Sequence, residues 1–188
     1  MTSQEIVKIF EGMYNDKWGY VLGTAGEKWT EAKAKEKGGS KWIGHYVADC
    51  SGAFVYALKK GGISVYHGSN RLARVYTKQL LSIDERIPGM IAFKGKLPGT
   101  EGYSLPNEYK LGGKYYNGDL TDYYHCGLVD ANGNIINLQS SSTGCVISSA
   151  SQNWSCCGYL KDVTYENGIT IPYDMAKNLY LYLKGMFE

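Results

Sequence analysis

Two side chains of this 188-residue chain, Cys50 and His125, have the types and surroundings that nucleophilic chemistry needs. Cys50 follows Asp49, a good helix cap, and opens the helical run Ser51-Gly52-Ala53-Phe54-Val55-Tyr56-Ala57-Leu58-Lys59-Lys60, with cations in its last turn and Gly61-Gly62 as its stop. A thiol in the first turn of a helix meets N–H groups that have no intrahelical acceptor, together with the positive end of the dipole. Both favour the thiolate that attacks carbonyls. Taken alone, a free cysteine is as often a small buried hydrophobe. His125 shifts that balance, because it opens a strand of pattern His-Cys-Gly-Leu-Val, and an imidazole on a sheet facing a helix-end thiol is what thiol catalysis requires. The small Gly52 is expected to leave room for a substrate backbone.

The elements that must position this pair can be read from periodicity and turn residues. Thr2-x-x-Glu5 is a capping box ahead of Ile6, Phe10 and Met13, which predicts a helix from about 3 to 14. Trp18 to Gly26 reads as a short strand or turn running into a Lys/Gly-rich loop to about Ser40, and a second helical stretch is expected over 69–81. Ile87-Pro88-Gly89 turns the chain into a strand, Met90-Ile91-Ala92-Phe93. Residues 95–122, rich in Gly, Tyr, Asn and Pro, exceed a usual connection and suggest a functional or mobile surface loop. Strands are expected at 123–129, 134–139 and 144–148, with a fourth at 157–160. Residues 1–163 form the expected domain, and 164–188 a C-terminal extension whose segment 174–187 reads as an amphipathic helix.

Composition narrows the function classes. With 20 Lys+Arg against 18 Asp+Glu, no clustered basic stripe marks a nucleic-acid binder. No run approaches the roughly 20 apolar residues of a membrane span, and the polar start lacks the regions of a signal peptide, so no membrane partner is expected. Five cysteines make an odd set without a disulfide framework, and with no Cys-x-x-Cys pair and scattered histidines a metal is not expected. Cys156 and Cys157 read as structural thiols. His45 and His67 read as ordinary surface or groove residues. The 17 tyrosines hint at a wet groove for a polar, extended ligand.

The ordered segments Asp49-Cys50-Ser51-Gly52, Gly89-Met90-Ile91-Ala92-Phe93 and His125-Cys126-Gly127-Leu128-Val129, with Tyr20-Val21-x-Gly23 upstream, resemble the motifs of the NlpC cell-wall cysteine peptidases, phage-type lysins among them. The resemblance spans roughly residues 4–162 and implies a papain-like α+β fold, N-terminal helices packed on a central antiparallel sheet. It implies a peptidoglycan hydrolase that cleaves stem peptides at the γ-D-glutamyl bond to the diamino acid through an acyl-enzyme, without a cofactor. Tyr20, Asp49 and Ser51 would help form the substrate pocket. Such a protein would be made in the cytoplasm and act on the cell wall, phage-released or exported without a cleavable signal, with a virion or secretion apparatus as partner. A related amidase that cuts glycan from stem peptide, and a catalytically silent wall-binding or phage-tail module, are the competing readings.

The chain departs from the family pattern twelve residues after His125, where many members have a second histidine and this chain has Asn137. Asparagine can still orient an imidazole by accepting a ring N–H, as in Cys-His-Asn enzymes. Strand parity tests the assignment. A three-residue loop Ala131-Asn132-Gly133, with Gly133 left-handed, pairs Asp130 with Asn134 and Gly127 with Asn137. Cys126, Leu128, Ile136 and Leu138 then share one apolar face, and His125, Asn137 and Gln139 share the other. A two-residue turn reverses this. Gln139 is a rival orienter of His125.

Overall fold

The computed structural model describes residues 1–165, and the expected tail helix at 174–187 lies outside them. Helix α1 (Ser3–Asn15) starts at the expected capping box: the Thr2 side chain accepts from the Glu5 N–H, and the Glu5 carboxylate accepts from the Thr2 N–H. Its stripe Ile6, Val7, Phe10 and Met13 is buried. Short strands β1 (Gly19–Tyr20) and β2 (Ala25–Lys28) follow, then α2 (Glu31–Lys37) and β3 (Tyr46–Ala48). The stretch read as a loop to Ser40 thus holds a capped helix. Thr30 caps it, Lys35 and Lys37 close its last turn, and no face of it is buried, which hid it from a search for apolar periodicity. β3 pairs parallel with β1 and antiparallel with β2 in a small sheet around Val21, Trp29, Trp42 and Val47.

Helix α3 (Cys50–Lys60) and α4 (Ser69–Val75) come next. The helix expected over 69–81 ends at Val75, and Thr77–Ser82 forms strand β4. The remaining strands are β5 (Ile91–Lys96), β6 (Asp122–Val129), β7 (Ile135–Ser140), β8 (Gly144–Ser148) and β9 (Cys156–Leu160). They build a six-stranded, wholly antiparallel sheet in the order β4-β9-β5-β6-β7-β8. β4 becomes a strand because β9 returns beside it, pairing Thr77 with Leu160 and Ser82 with Cys156, a tertiary demand that overrides local pattern.

One face of the sheet meets α1, α3 and α4 over Phe10, Phe54, Leu72, Phe93, Cys126, Leu128, Ile136 and Leu138, with Phe10 and Phe54 ring to ring at 4.8 Å. Each such side chain contributes roughly 1.5–3 kcal/mol on burial. The other face is also covered: Met90, Ala92, Val129, Ile135, Trp154 and Cys157 form a second cluster. Gly89, at φ +88°, makes the turn into β5 and lies against α1, where a Cβ would come within 2.6 Å of the Ser3 side chain. Thr164 pairs with Thr2, and the Tyr165 hydroxyl accepts from the Leu160 N–H and donates to the Gly89 carbonyl.

The loop between β5 and β6 is anchored, not free. Leu105 and Tyr109 are buried, and the Arg74 side chain, 1% exposed, donates to the carbonyls of Asp119 (3.0 Å) and Thr121 (2.7 Å). No helix among the described residues is long and apolar enough to cross a membrane.

Candidate active site

Cys50 is the first residue of α3. Asp49 caps the helix, its Oδ1 accepting from the Gly52 N–H at 2.7 Å and from the Ser51 hydroxyl at 2.9 Å. Its Oδ2 accepts from the Gly23 N–H at 2.7 Å and so ties the β1–β2 loop to the helix end. These bonds use up a carboxylate that is only 5% exposed. Gly52 does not provide room for a ligand, as the sequence suggested. A Cβ there would fall 1.9 Å from the Thr24 carbonyl oxygen and 2.8 Å from His67 Cε1, so its missing side chain lets backbone pack on backbone.

His125 and Asn137 meet as the three-residue loop requires. Asp130 N–H donates to the Asn134 carbonyl at 2.8 Å, Leu128 pairs with Ile136, and Gly133 sits at φ +78°. Asn137 Oδ1 lies 2.9 Å from His125 Nε2. The orientation of the amide follows from its other partners: Asn137 Nδ2 donates to the Ile135 carbonyl, which can only accept, and to Ser148 Oγ at 2.6 Å. Oδ1 therefore faces the ring, Nε2 carries a proton, and Nδ1 is left for the thiol. A Cβ on Gly127 would meet that of Asn137 at 2.8 Å, so glycine there admits the asparagine. The rival Gln139 is exposed, and His125 Nε2 goes to Asn137 instead.

The Cys50 thiol is held at about 5. A hydrogen bond from the Cys126 thiol is the largest cause; burial opposes it, and the hydrogen bond and charge of His125 add to it. For His125, burial disfavours the imidazolium, but the Cys50 thiolate and the Asn137 oxygen outweigh that and raise it overall. Between about pH 5 and the raised value of His125 this balance favours thiolate and imidazolium. Burial holds the Cys126 thiol well above its ordinary value, so it stays a donor. Cys126→Ala removes that donor, and the acid limb of any Cys50-dependent reaction is expected to move to higher pH, measured as the pH profile of alkylation by iodoacetamide. An unmoved limb would rule out the Cys126 hydrogen bond as the cause.

Asn137→Ala strands the Nε2–H in a buried setting. The expected result is a fall in kcat/KM of about tenfold to a hundredfold, the value of a hydrogen bond to a charged group. Because Asn137 raises His125, its loss should also shift the alkaline limb downward. A drop in rate with no shift would mean that Asn137 only holds the sheet end.

Three neighbours were not legible in sequence. Trp154 is 5% exposed, with its ring 5.7 Å from the His125 ring, and it covers the imidazole. Ser148 supports Asn137, and Cys126 supports Cys50. Parity in β8 could have found Ser148; nothing local marks Trp154. Of the residues implied for the pocket, Tyr20 is half-buried beside Cys50. Burial, then the Cys50 thiolate and the Asp49 carboxylate, push its hydroxyl up to about 12, so it remains a donor. His67, read as ordinary, has Nδ1 3.4 Å from Ser51 Oγ and 3.6 Å from Asp49 Oδ1. Cys156 and Cys157 are pushed up to about 11 and 12 by burial, as structural thiols are.

The fold that carries Cys50, His125 and Asn137, helices packed on an antiparallel sheet, is papain-like α+β and similar to that of solved NlpC/p60 domains. The NlpC/p60 domain of the peptidoglycan hydrolase SagA superposes with a TM-score of 0.52 at 16% identity, covering 85% of this chain and 99% of that one. NlpC2 from Trichomonas vaginalis gives 0.52 at 13%, over 83% of this chain and 46% of that one. The P60 domain of an antigen from M. avium subspecies paratuberculosis gives 0.50 at 15%, over 83% and 95%. No family model matches the sequence, and no curated protein does.

Proposed function

We propose that the protein is a cysteine endopeptidase of peptidoglycan that cleaves stem peptides at the γ-D-glutamyl bond to the diamino acid. The observation that carries this reading is the Cys50–His125–Asn137 array, with its thiol near 5 and its imidazole raised. The substrate class is supported by the fold shared with a domain of a peptidoglycan hydrolase. In this mechanism the Cys50 thiolate attacks the scissile carbonyl, and the Cys50 N–H, which has no intrahelical acceptor, donates to the developing oxyanion. His125 Nδ1–H protonates the leaving amine. The neutral imidazole then takes a proton from water, which hydrolyses the thioester, and no metal enters any step.

The pH profile follows from the pair. Activity is expected to rise as pH passes about 5, where Cys50 ionises, and to fall once pH exceeds the raised value of His125 and the imidazolium is lost. Initial rates on a fluorescent stem peptide across pH 4–10 provide the measurement, and a profile with no acid limb near 5 would contradict the ion pair. Digestion of purified peptidoglycan, with products identified by mass, tests the bond. Fragments ending in γ-D-glutamate support the proposal, whereas intact stem peptides freed from glycan support the amidase.

A further inference from the structure

A cavity of about 300 Å³ opens beside the catalytic array, lined by His67, Ser69, Asn70, Arg71, Glu108 and Tyr109 among others. It begins at His67, which touches Asp49 and Ser51, the residues on either side of Cys50. Most of its polar groups are already committed. Ser69 donates to the Tyr123 carbonyl, and Asn70 bonds to Asp122, Arg74 and the Tyr123 N–H.

Arg71 is different. Its side chain is only 21% exposed, and its buried Nε has no hydrogen-bond partner among the described residues. The guanidinium lies 4.6 Å from the Tyr115 ring and 5.5 Å from the Tyr66 ring. The facing carboxylate, Glu108 Oε1, stops 3.6 Å from Nη2, beyond hydrogen-bond distance, and belongs to a side chain that is 44% exposed. This single long contact to a half-exposed carboxylate leaves the planar fork of the guanidinium, which fits a carboxylate in two parallel bonds, largely unused.

We infer that Arg71 seats a free carboxylate of the bound peptide on the acyl side of the scissile bond, and that Glu108 is the weak internal carboxylate it displaces. The inference rests on the peptidase reading above. A γ-linked glutamate uses its side-chain carboxyl in the chain and leaves its α-carboxylate free, which supplies such a group. The same peptide with that carboxylate amidated lacks the charge and should bind poorly.

The test compares two synthetic γ-D-glutamyl–lysine peptides, α-carboxylate free or amidated. Affinity is measured by calorimetry on the Cys50→Ala protein and turnover on the wild type. The free acid should be preferred by about tenfold or more, the worth of one charge-assisted pair. Arg71→Gln should bring the two peptides within about twofold, and Arg71→Lys should recover part of the preference. Glu108→Gln should tighten the free acid and leave the amide unchanged. Because both peptides are measured on one preparation, any misfolded fraction cancels from the ratio. Equal affinities in the parent protein, no binding of either peptide, or a ratio that survives Arg71→Gln would overturn the inference. A preference in binding without turnover would leave the Arg71 site standing and sink the peptidase reading; turnover with no preference would do the reverse.

Discussion

Cys50→Ala should lose at least about four orders of magnitude in kcat/KM on isolated peptidoglycan, because the proposed covalent route disappears with the sulfur. No other thiol can replace it. Cys126 is adjacent but held well above its ordinary value, and Cys145, Cys156 and Cys157 are pushed up to about 12, 11 and 12 by burial. The helix itself should survive, since Asp49, not Cys50, supplies the cap. The measurement is loss of turbidity together with far-ultraviolet dichroism on the same samples. Equal rates in variant and parent would eliminate thiol catalysis, and an unfolded variant would show as a changed spectrum.

Gly52→Ala should have the largest effect on stability. Its Cβ would lie 1.9 Å from the Thr24 oxygen and 2.9 Å from the carbonyl carbon, so backbone must move. That carbonyl accepts the Asp49 N–H at 3.0 Å, and the same loop gives its Gly23 N–H to Asp49. Overpacking plus a lost hydrogen bond amounts to about 2–4 kcal/mol. Thermal unfolding should fall by roughly 5–15 °C. Activity should fall with it, because Asp49 loses the anchors that fix the first turn under Cys50. Gly12→Ala is the contrast: a Cβ there would meet nothing within 4 Å beyond its own helix backbone, and alanine inside α1 should stabilise by roughly 0.5–1 kcal/mol. Similar melting temperatures for Gly52→Ala and the parent would show that Thr24 yields easily and that close backbone contact is not what glycine provides.

What sequence could show depended on whether the information was local. The helix behind Cys50 was legible because its cap, its cations and its glycine stop lie within a dozen residues. The β6–β7 register was legible because Asp130, Asn132 and Gly133 write the turn themselves: Asp130 Oδ1 accepts from the N–H groups of Asn132 and Asn134. Asn137 followed from that register and the twelve-residue spacing. Thr77–Ser82 misled because its strand character comes from β9, far along the chain. Trp154 was invisible for the same reason, since only the folded chain brings it over His125. The buried second face could not be read from alternation: Val129 and Ile135 are apolar where His125 and Asn137 on the same face are polar.

The place of β9 in the sheet also governs the order of folding. Until residues 156–160 arrive, β5 keeps one edge unpaired and β4 has no strand to pair with; Leu160 then returns to Thr77 and Gly158 to Ile91. Closure therefore waits on contacts of long sequence separation, which slows assembly and leaves strand edges open meanwhile. A chain released before residue 160 would hold the Cys50 helix and the His125 hairpin while lacking the strand that joins β4 to the rest of the sheet.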